Sequence, residues 1–129
     1  MSVRLSPGLR DALLAHAQRE LPLEACGLLG GRGNELLRFV PCRNALESPS
    51  AYAIAPEEIL AALRDFDRDR IDLLGIFHSH PRGPAAPSAT DLHEAAYPQA
   101  VYLIAAPAAR ELRAFRITLG QAREVDVEG

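Results

Sequence analysis

The spacing of hydrophobic and polar positions changes several times along this chain, and each spacing fits a different element. Val3 to Leu5 is long enough for a short strand, and Ser6 followed by Pro7 offers a helix cap and a first helical residue. Leu9, Leu13, Leu14, Ala17 and Leu21 then recur at the three-and-four spacing of an amphipathic helix that Pro22 stops. Ala25 to Gly30 and Leu36 to Pro41 read as strands on either side of Gly31-Arg32-Gly33-Asn34, which predicts a hairpin. Ala51 to Ile54 predicts a further strand. Pro56-Glu57-Glu58 opens a second helix with Ile59, Leu60, Leu63 and Phe66 on one side, and the charged stretch from Arg64 to Arg70 reads as its solvated face.

Leu73 to Phe77 is an unbroken apolar run, the pattern of a strand covered on both faces, and it leads directly into His78-Ser79-His80. A loop from Pro81 to Pro87 follows, then a short helix from Ser88 to about Ala96 and a buried strand from Val101 to Ala105. Leu112 to Thr118 and Glu124 to Val127 alternate as late strands. With no internal repeat, linker or low-complexity segment, the pattern predicts one α/β domain over residues 1–129, built on a single mixed β-sheet flanked by helices.

Composition narrows the function. The chain has 129 residues and a formal charge of -3, without the basic stripe that a phosphate backbone requires, so nucleic acid is not an expected partner. All 14 basic residues are Arg, which excludes chemistry through a lysine amine. Aromatic residues make up 5% and Trp is missing, which argues against stacking platforms for bases or sugars. No apolar run approaches the ~20 residues of a bilayer crossing and the N-terminus lacks a secretory core, so the expected setting is the cytoplasm, with no membrane partner. Cys26 and Cys42 sit at mirror positions about Asn34, where the hairpin would bring them side by side; a free, buried pair is the expectation.

The chemistry concentrates at His78-x-His80-x7-Ser88-x2-Asp91. Two histidines two apart on a strand leave by the same face, their Cα atoms about 7 Å apart. Two neutral imidazoles and one carboxylate form the donor set of a catalytic zinc site, whose fourth position stays open to water. The same set would also serve a non-haem Fe(II) centre, which needs further open positions and a grip on a co-substrate. Ser88-Ala89-Thr90-Asp91 doubles as a capping box, a role compatible with metal binding. His93 should point away from Asp91 on its helix, and His16 lies beside solvent-facing positions of the first helix; neither is expected to be a ligand.

His78-Ser79-His80-Pro81 with Pro87-Ser88-Ala89-Thr90-Asp91 resembles the signature of the JAMM metalloproteases, also called JAB or MPN-plus. Glu24-Ala25-Cys26-Gly27-Leu28-Leu29-Gly30 resembles that family's second motif, while Asn44, the stretch from Tyr52 to Pro56 and the strand from Val101 to Ala105 match its short prokaryotic branch. The resemblance implies a cytidine-deaminase-like α/β sandwich, with His78, His80 and Asp91 as zinc ligands, Glu24 as general acid/base and Ser88 as helper of the oxyanion. It further implies a zinc peptidase or isopeptidase that cuts the acyl bond after the C-terminal Gly-Gly of a ubiquitin-like or sulfur-carrier protein. The chain has no room for the two insertions with which eukaryotic relatives grip a second ubiquitin. A catalytically silent scaffold module is the alternative from another class, and retention of every motif residue argues against it.

Overall fold

The computed structural model describes residues 2–129. Strand β1 (Ser2–Arg4) leads into helix α1 (Pro7–Glu20), which Ser6 caps by accepting from the Leu9 amide at 3.1 Å. Strands β2 (Cys26–Arg32) and β3 (Glu35–Cys42) form the expected hairpin around Gly33, whose φ of 62° is the left-handed turn conformation that glycine adopts without strain. After helix α2 (Pro56–Arg68) come β4 (Asp72–Ser79), the short α3 (Ala89–Glu94), β5 (Val101–Ala106), β6 (Glu111–Thr118) and β7 (Gln121–Glu128).

The strands run in the order β1-β3-β2-β4-β5-β6-β7. The central β4 is antiparallel to β2 and parallel to β5, so the sheet is mixed as the sequence predicts. It curls further than an open sandwich: β1 pairs in parallel with both β3 and β7, which closes the sheet on itself.

Alternation along the inner strands divides the core. Leu29, Phe77, Leu103 and Ala114 face Leu13, Leu14 and Ala17 of α1. Leu28, Ile76, Tyr102, Ile104 and Phe115 belong to the opposite face, with Ala62 and Phe66 of α2. Phe66 packs so closely on Gly30 that a Cβ there would meet its ring at 2.8 Å. Leu60, expected on the same apolar side of α2, is 49% exposed, because Ala62 and Phe66 carry the buried stripe and Ile59 only flanks it.

Two expectations are corrected. Ala51 to Ile54 forms no strand, because the side chain of Asn44 takes over its backbone groups. Asn44 Nδ2 donates to the Ala51 carbonyl at 2.9 Å, and Asn44 Oδ1 accepts from the Ala53 amide at 3.3 Å. One further backbone bond, from the Ala45 amide to the Ala53 carbonyl at 2.9 Å, completes the tie. Helix α3 ends at Glu94 rather than near Ala96, because the Ala96 and Tyr97 amides both donate to the Tyr102 hydroxyl at 3.1 Å, an acceptor outside the helix.

Asn44 also donates to the carbonyls of Glu24 and Ser48 and accepts from the Leu46 amide, all from a buried position. Truncating it orphans several backbone groups at once. Asn44→Ala is expected to destabilise the protein by about 2 to 4 kcal/mol in denaturant titration, with the 45–55 segment losing amide-exchange protection first.

Candidate active site

Strand β4 sends Ile76 and His78 to the face of α2 and α3, and Phe77 and Ser79 to the face of α1. His80 lies one residue past the strand, yet its amide donates to the Ala105 carbonyl at 2.8 Å and so extends the parallel ladder with β5. The two imidazoles therefore project on one side, as their spacing predicts. The proline-rich loop supplies an orienting partner: His80 Nδ1 lies 2.9 Å from the Pro84 carbonyl. A carbonyl only accepts, so Nδ1 carries the hydrogen and the Nε2 of a neutral ring presents a bare lone pair.

Asp91 arrives from α3. Its amide donates to Ser88 Oγ at 3.1 Å, and the Ser88 amide donates back to Asp91 Oδ2 at 2.9 Å, a complete capping box. The same Oδ2 stands 2.9 Å from His80 Nε2 and 3.1 Å from His78 Nε2, with the two Nε2 atoms 3.2 Å apart. Capping and convergence on the histidines thus coexist in one carboxylate. His78 and His80 hold the Asp91 carboxyl well below the usual range despite its partial burial. Burial pushes the His78 imidazole down, whereas at His80 the contacts with Asp91 and Pro84 outweigh burial and push it up.

Three electron-rich atoms at the corners of a triangle this small need a cation or shared protons between them. Tetrahedral zinc, with bonds of about 2.0 to 2.1 Å, separates its ligand atoms by about 3.4 Å. The triangle of His78, His80 and Asp91 is slightly tighter, and its two nitrogens and one oxygen are the right donors, so the residues fit a divalent metal of zinc's type.

Glu24 sits in the segment before β2, only 4% exposed. Its carboxylate and the imidazole nitrogens of His78 and His80 lie within 4.8 Å of one another, and its Oε1 has no hydrogen-bond partner. Burial raises its pKa to about 7, against the pull of His80 and with the push of Asp91. The carboxylate of Asp91 is therefore in contact with both rings, and that of Glu24 lies within 4.8 Å of their nitrogens with Oε1 unbonded. Ser88 stays exposed at the start of α3.

His16 and His93 take no part in the cluster. His93 is exposed, but His16 is buried rather than beside solvent: its Nε2 bonds the Cys26 carbonyl at 3.0 Å and its ring makes a T-shaped contact with Phe39. Cys26 and Cys42 stand directly opposite each other in the hairpin as free, buried thiols, which burial pushes up to about 12. Sequence reasoning assigned no work to Ser79 or to the ring of Tyr52. Ser79 faces away from the two imidazoles, and its Oγ accepts from the Ala25 amide at 2.8 Å; the ring of Tyr52 stacks on His78. A groove of about 370 Å³, lined by Leu28, Tyr52, Ile54, Ile59, Tyr97 and Tyr102 among others, opens onto His78 and Asp91.

The profile of a family described as prokaryotic homologs of the JAB domain matches residues 6–118. The chain belongs to the prokaryotic JAB family. Its JAB relatives include the probable TtuB-protein conjugate cleaving protease of Thermus thermophilus, 45% identical over 89 residues that make up 68% of this chain and 60% of that protein. The CysO-cysteine peptidase of Mycobacterium tuberculosis is 38% identical over 125 residues, 92% of this chain and 85% of the relative. A solution structure from Desulfitobacterium hafniense shares the JAB-type fold of this chain at a TM-score of 0.87 and 37% identity, covering 97% of this chain and 90% of that one.

In this JAB domain Ser79 links the two halves of the site, since the Ser79 amide also donates to the Ala25 carbonyl at 3.0 Å. Ser79→Ala leaves the buried Ala25 amide unpaired, at an expected cost of about 1 to 3 kcal/mol. Because Ala25 follows Glu24, the variant should lose more turnover than this modest drop in melting temperature suggests; unchanged turnover would show that the link does not set the position of Glu24.

Proposed function

We propose that the chain is a zinc-dependent peptidase that hydrolyses the acyl bond after the C-terminal Gly-Gly of a ubiquitin-like or sulfur-carrier protein. The observation that carries this reading is the convergence of His78 Nε2, His80 Nε2 and Asp91 Oδ2 to within 2.9–3.2 Å, beside a buried Glu24 carboxylate that is poised near neutrality and has one oxygen unpartnered. His78, His80 and Asp91 hold the metal. Zinc in that position supplies Lewis acidity towards a carbonyl oxygen and brings the acidity of a water to near neutral pH.

The remaining steps belong to the chain. Glu24, whose pKa of about 7 matches proton transfer at neutral pH, takes the proton from the attacking water and returns it to the leaving nitrogen. Ser88 Oγ spends a lone pair on the Asp91 amide, which leaves its own hydrogen free to donate to the oxyanion as the carbonyl becomes tetrahedral. The apolar groove beside His78 accepts the substrate chain, and Gly-Gly is the thinnest peptide that can reach the metal there.

Two of the relatives are named for such chemistry, one as a probable TtuB-protein conjugate cleaving protease and one as a CysO-cysteine peptidase, which supports a protein adduct as substrate and a loosely specified leaving group. The reaction belongs to the cytoplasm, where the free thiols of Cys26 and Cys42 persist.

Metal analysis of protein purified without added metal should find about one zinc per chain. His80→Ala should lose it, while Glu24→Gln keeps both metal and melting temperature and loses turnover. Binding should weaken below about pH 6.5, where protons compete for the imidazoles. Iron with oxygen-dependent turnover, or an empty site in Glu24→Gln, would overturn this division of roles.

A carrier protein with a single amino acid on its C-terminal glycine should be hydrolysed, and replacing the final glycine by Val should block the reaction. Mass spectrometry of the products reads the result directly. Equal cleavage of both adducts, or of unfolded casein, would indicate a general peptidase.

A further inference from the structure

The two histidines are held in different ways. His80 donates from Nδ1 to the Pro84 carbonyl, and that hydrogen bond fixes both its tautomer and the plane of its ring. His78 has no such support: its side chain is 1% exposed, and its Nδ1 has no hydrogen-bond partner. Rotation of an imidazole about its last side-chain bond is soft, with broad minima, so an unsupported ring does not aim its Nε2 lone pair by itself. The sheet neighbours of His78 are Cys26 on β2 and Ile104 on β5, neither of which supplies a polar group to Nδ1.

Beyond the contacts of Nε2 itself with Asp91 and His80, the contact that bears on the ring plane is aromatic. Tyr52 lies nearly parallel to His78, with centroids 4.6 Å apart and an interplanar angle of 21°, while His80 meets the same ring in a T-shaped contact with centroids 5.0 Å apart. Tilting the His78 plane breaks the stack with Tyr52 and drives the imidazole edge towards the phenol face. Tyr52 is itself braced, since the flanking Ala51 carbonyl and Ala53 amide are both taken by Asn44. A stacked phenol also favours an imidazole that gives up electron density to a metal, because the π face of Tyr is electron-rich.

We propose that Tyr52 is the positioning residue of His78, and that its stacked ring replaces the missing hydrogen bond at Nδ1 in aiming Nε2 at the metal. This rests on the zinc reading of the site. It differs from the ordinary arrangement, in which a carbonyl or carboxylate orients each metal-bound histidine, and it gives the irregular 48–55 segment a role in metal binding from outside the ligand set.

The test compares the full-length wild type with Tyr52→Phe, which keeps the planar face, and with Tyr52→Leu and Tyr52→Met, which remove it; two aliphatic variants guard against failure of one to fold. Zinc affinity is read by competition with a chelator, and the ligand field by the visible absorption of the cobalt-substituted protein. The expected result is a loss of about 10- to 100-fold in zinc affinity for Leu and Met, with an altered cobalt spectrum, and wild-type values for both in Tyr52→Phe. Wild-type affinity and spectrum in the aliphatic variants overturn the proposal while leaving the zinc reading intact. A loss in Tyr52→Phe equal to that in Tyr52→Leu assigns the effect to the hydroxyl and overturns it as well. A wild-type protein that binds neither zinc nor cobalt overturns the zinc reading and this proposal together.

Discussion

The site depends first on a pair of hydrogen bonds between residues far apart in the sequence. The Ser79 amide donates to the Ala25 carbonyl, and the Ala25 amide donates to Ser79 Oγ. Both groups are buried, so neither bond can be exchanged for water at low cost. With β4 locked to the residue that precedes β2, Glu24 has no choice but to lie beside the two histidines that flank Ser79. The residue between the histidines therefore helps to set the geometry of the cluster, although its side chain faces away from it. A sheet of strands that slid by one residue would turn every one of these side chains to the wrong face, and the antiparallel β2–β4 register, with Cys26 opposite His78, prevents it.

The second fixed point is Asp91. A helix of six residues has little intrinsic stability, and its N-terminal amides need an acceptor. The capping box satisfies them and, by the same bond from the Ser88 amide to Oδ2, fixes the carboxylate that also faces His78 and His80. Folding of α3 and alignment of the Asp91 carboxylate on the two rings are thus one event. An Asn at 91 could mimic the cap but would bring no negative charge to the rings.

Much of this was legible from residue spacing alone. The unbroken run from Leu73 to Phe77 marked a central strand, and the period of two placed His78 and His80 on one face; both hold, even though β4 ends at Ser79 and His80 continues its ladder by a single bond. Ser88 and Asp91 were visible as a cap. The position of Glu24 next to His78 was not, because 54 residues separate them and only tertiary pairing brings them together. Three errors share a physical origin, that of a side chain deciding a backbone or burial question. The Asn44 amide replaces the strand expected at Ala51 to Ile54, the Tyr102 hydroxyl ends α3 early, and the bond from its own ring to the Cys26 carbonyl draws His16 inward. No periodicity carries such information, since each partner lies five or more residues away in the sequence.

Among the described residues, the buried side-chain polar atoms that lack a hydrogen-bond partner are Glu24 Oε1 and His78 Nδ1. Both belong to the same small cluster, whereas elsewhere Asn44, Ser79 and His16 are bonded despite comparable burial. Folded proteins leave few such groups, because each unmet partner costs on the order of 1 to 3 kcal/mol. Here the cost has a chemical return at Glu24: the dry surroundings that leave Oε1 unpaired are the main cause of its pKa near 7, and a donor placed on Oε1 would favour the anion and drag that value back down. A better-satisfied Glu24 would make a more stable protein whose carboxyl no longer titrates near neutral pH. At His78 the unpaired Nδ1 leaves that side of the ring to packing, which ties the imidazole to the segment that Asn44 organises, and Asn44 in turn bonds the carbonyl of Glu24. Glu24 and the ring stacked on His78 are thus coupled through a single amide side chain.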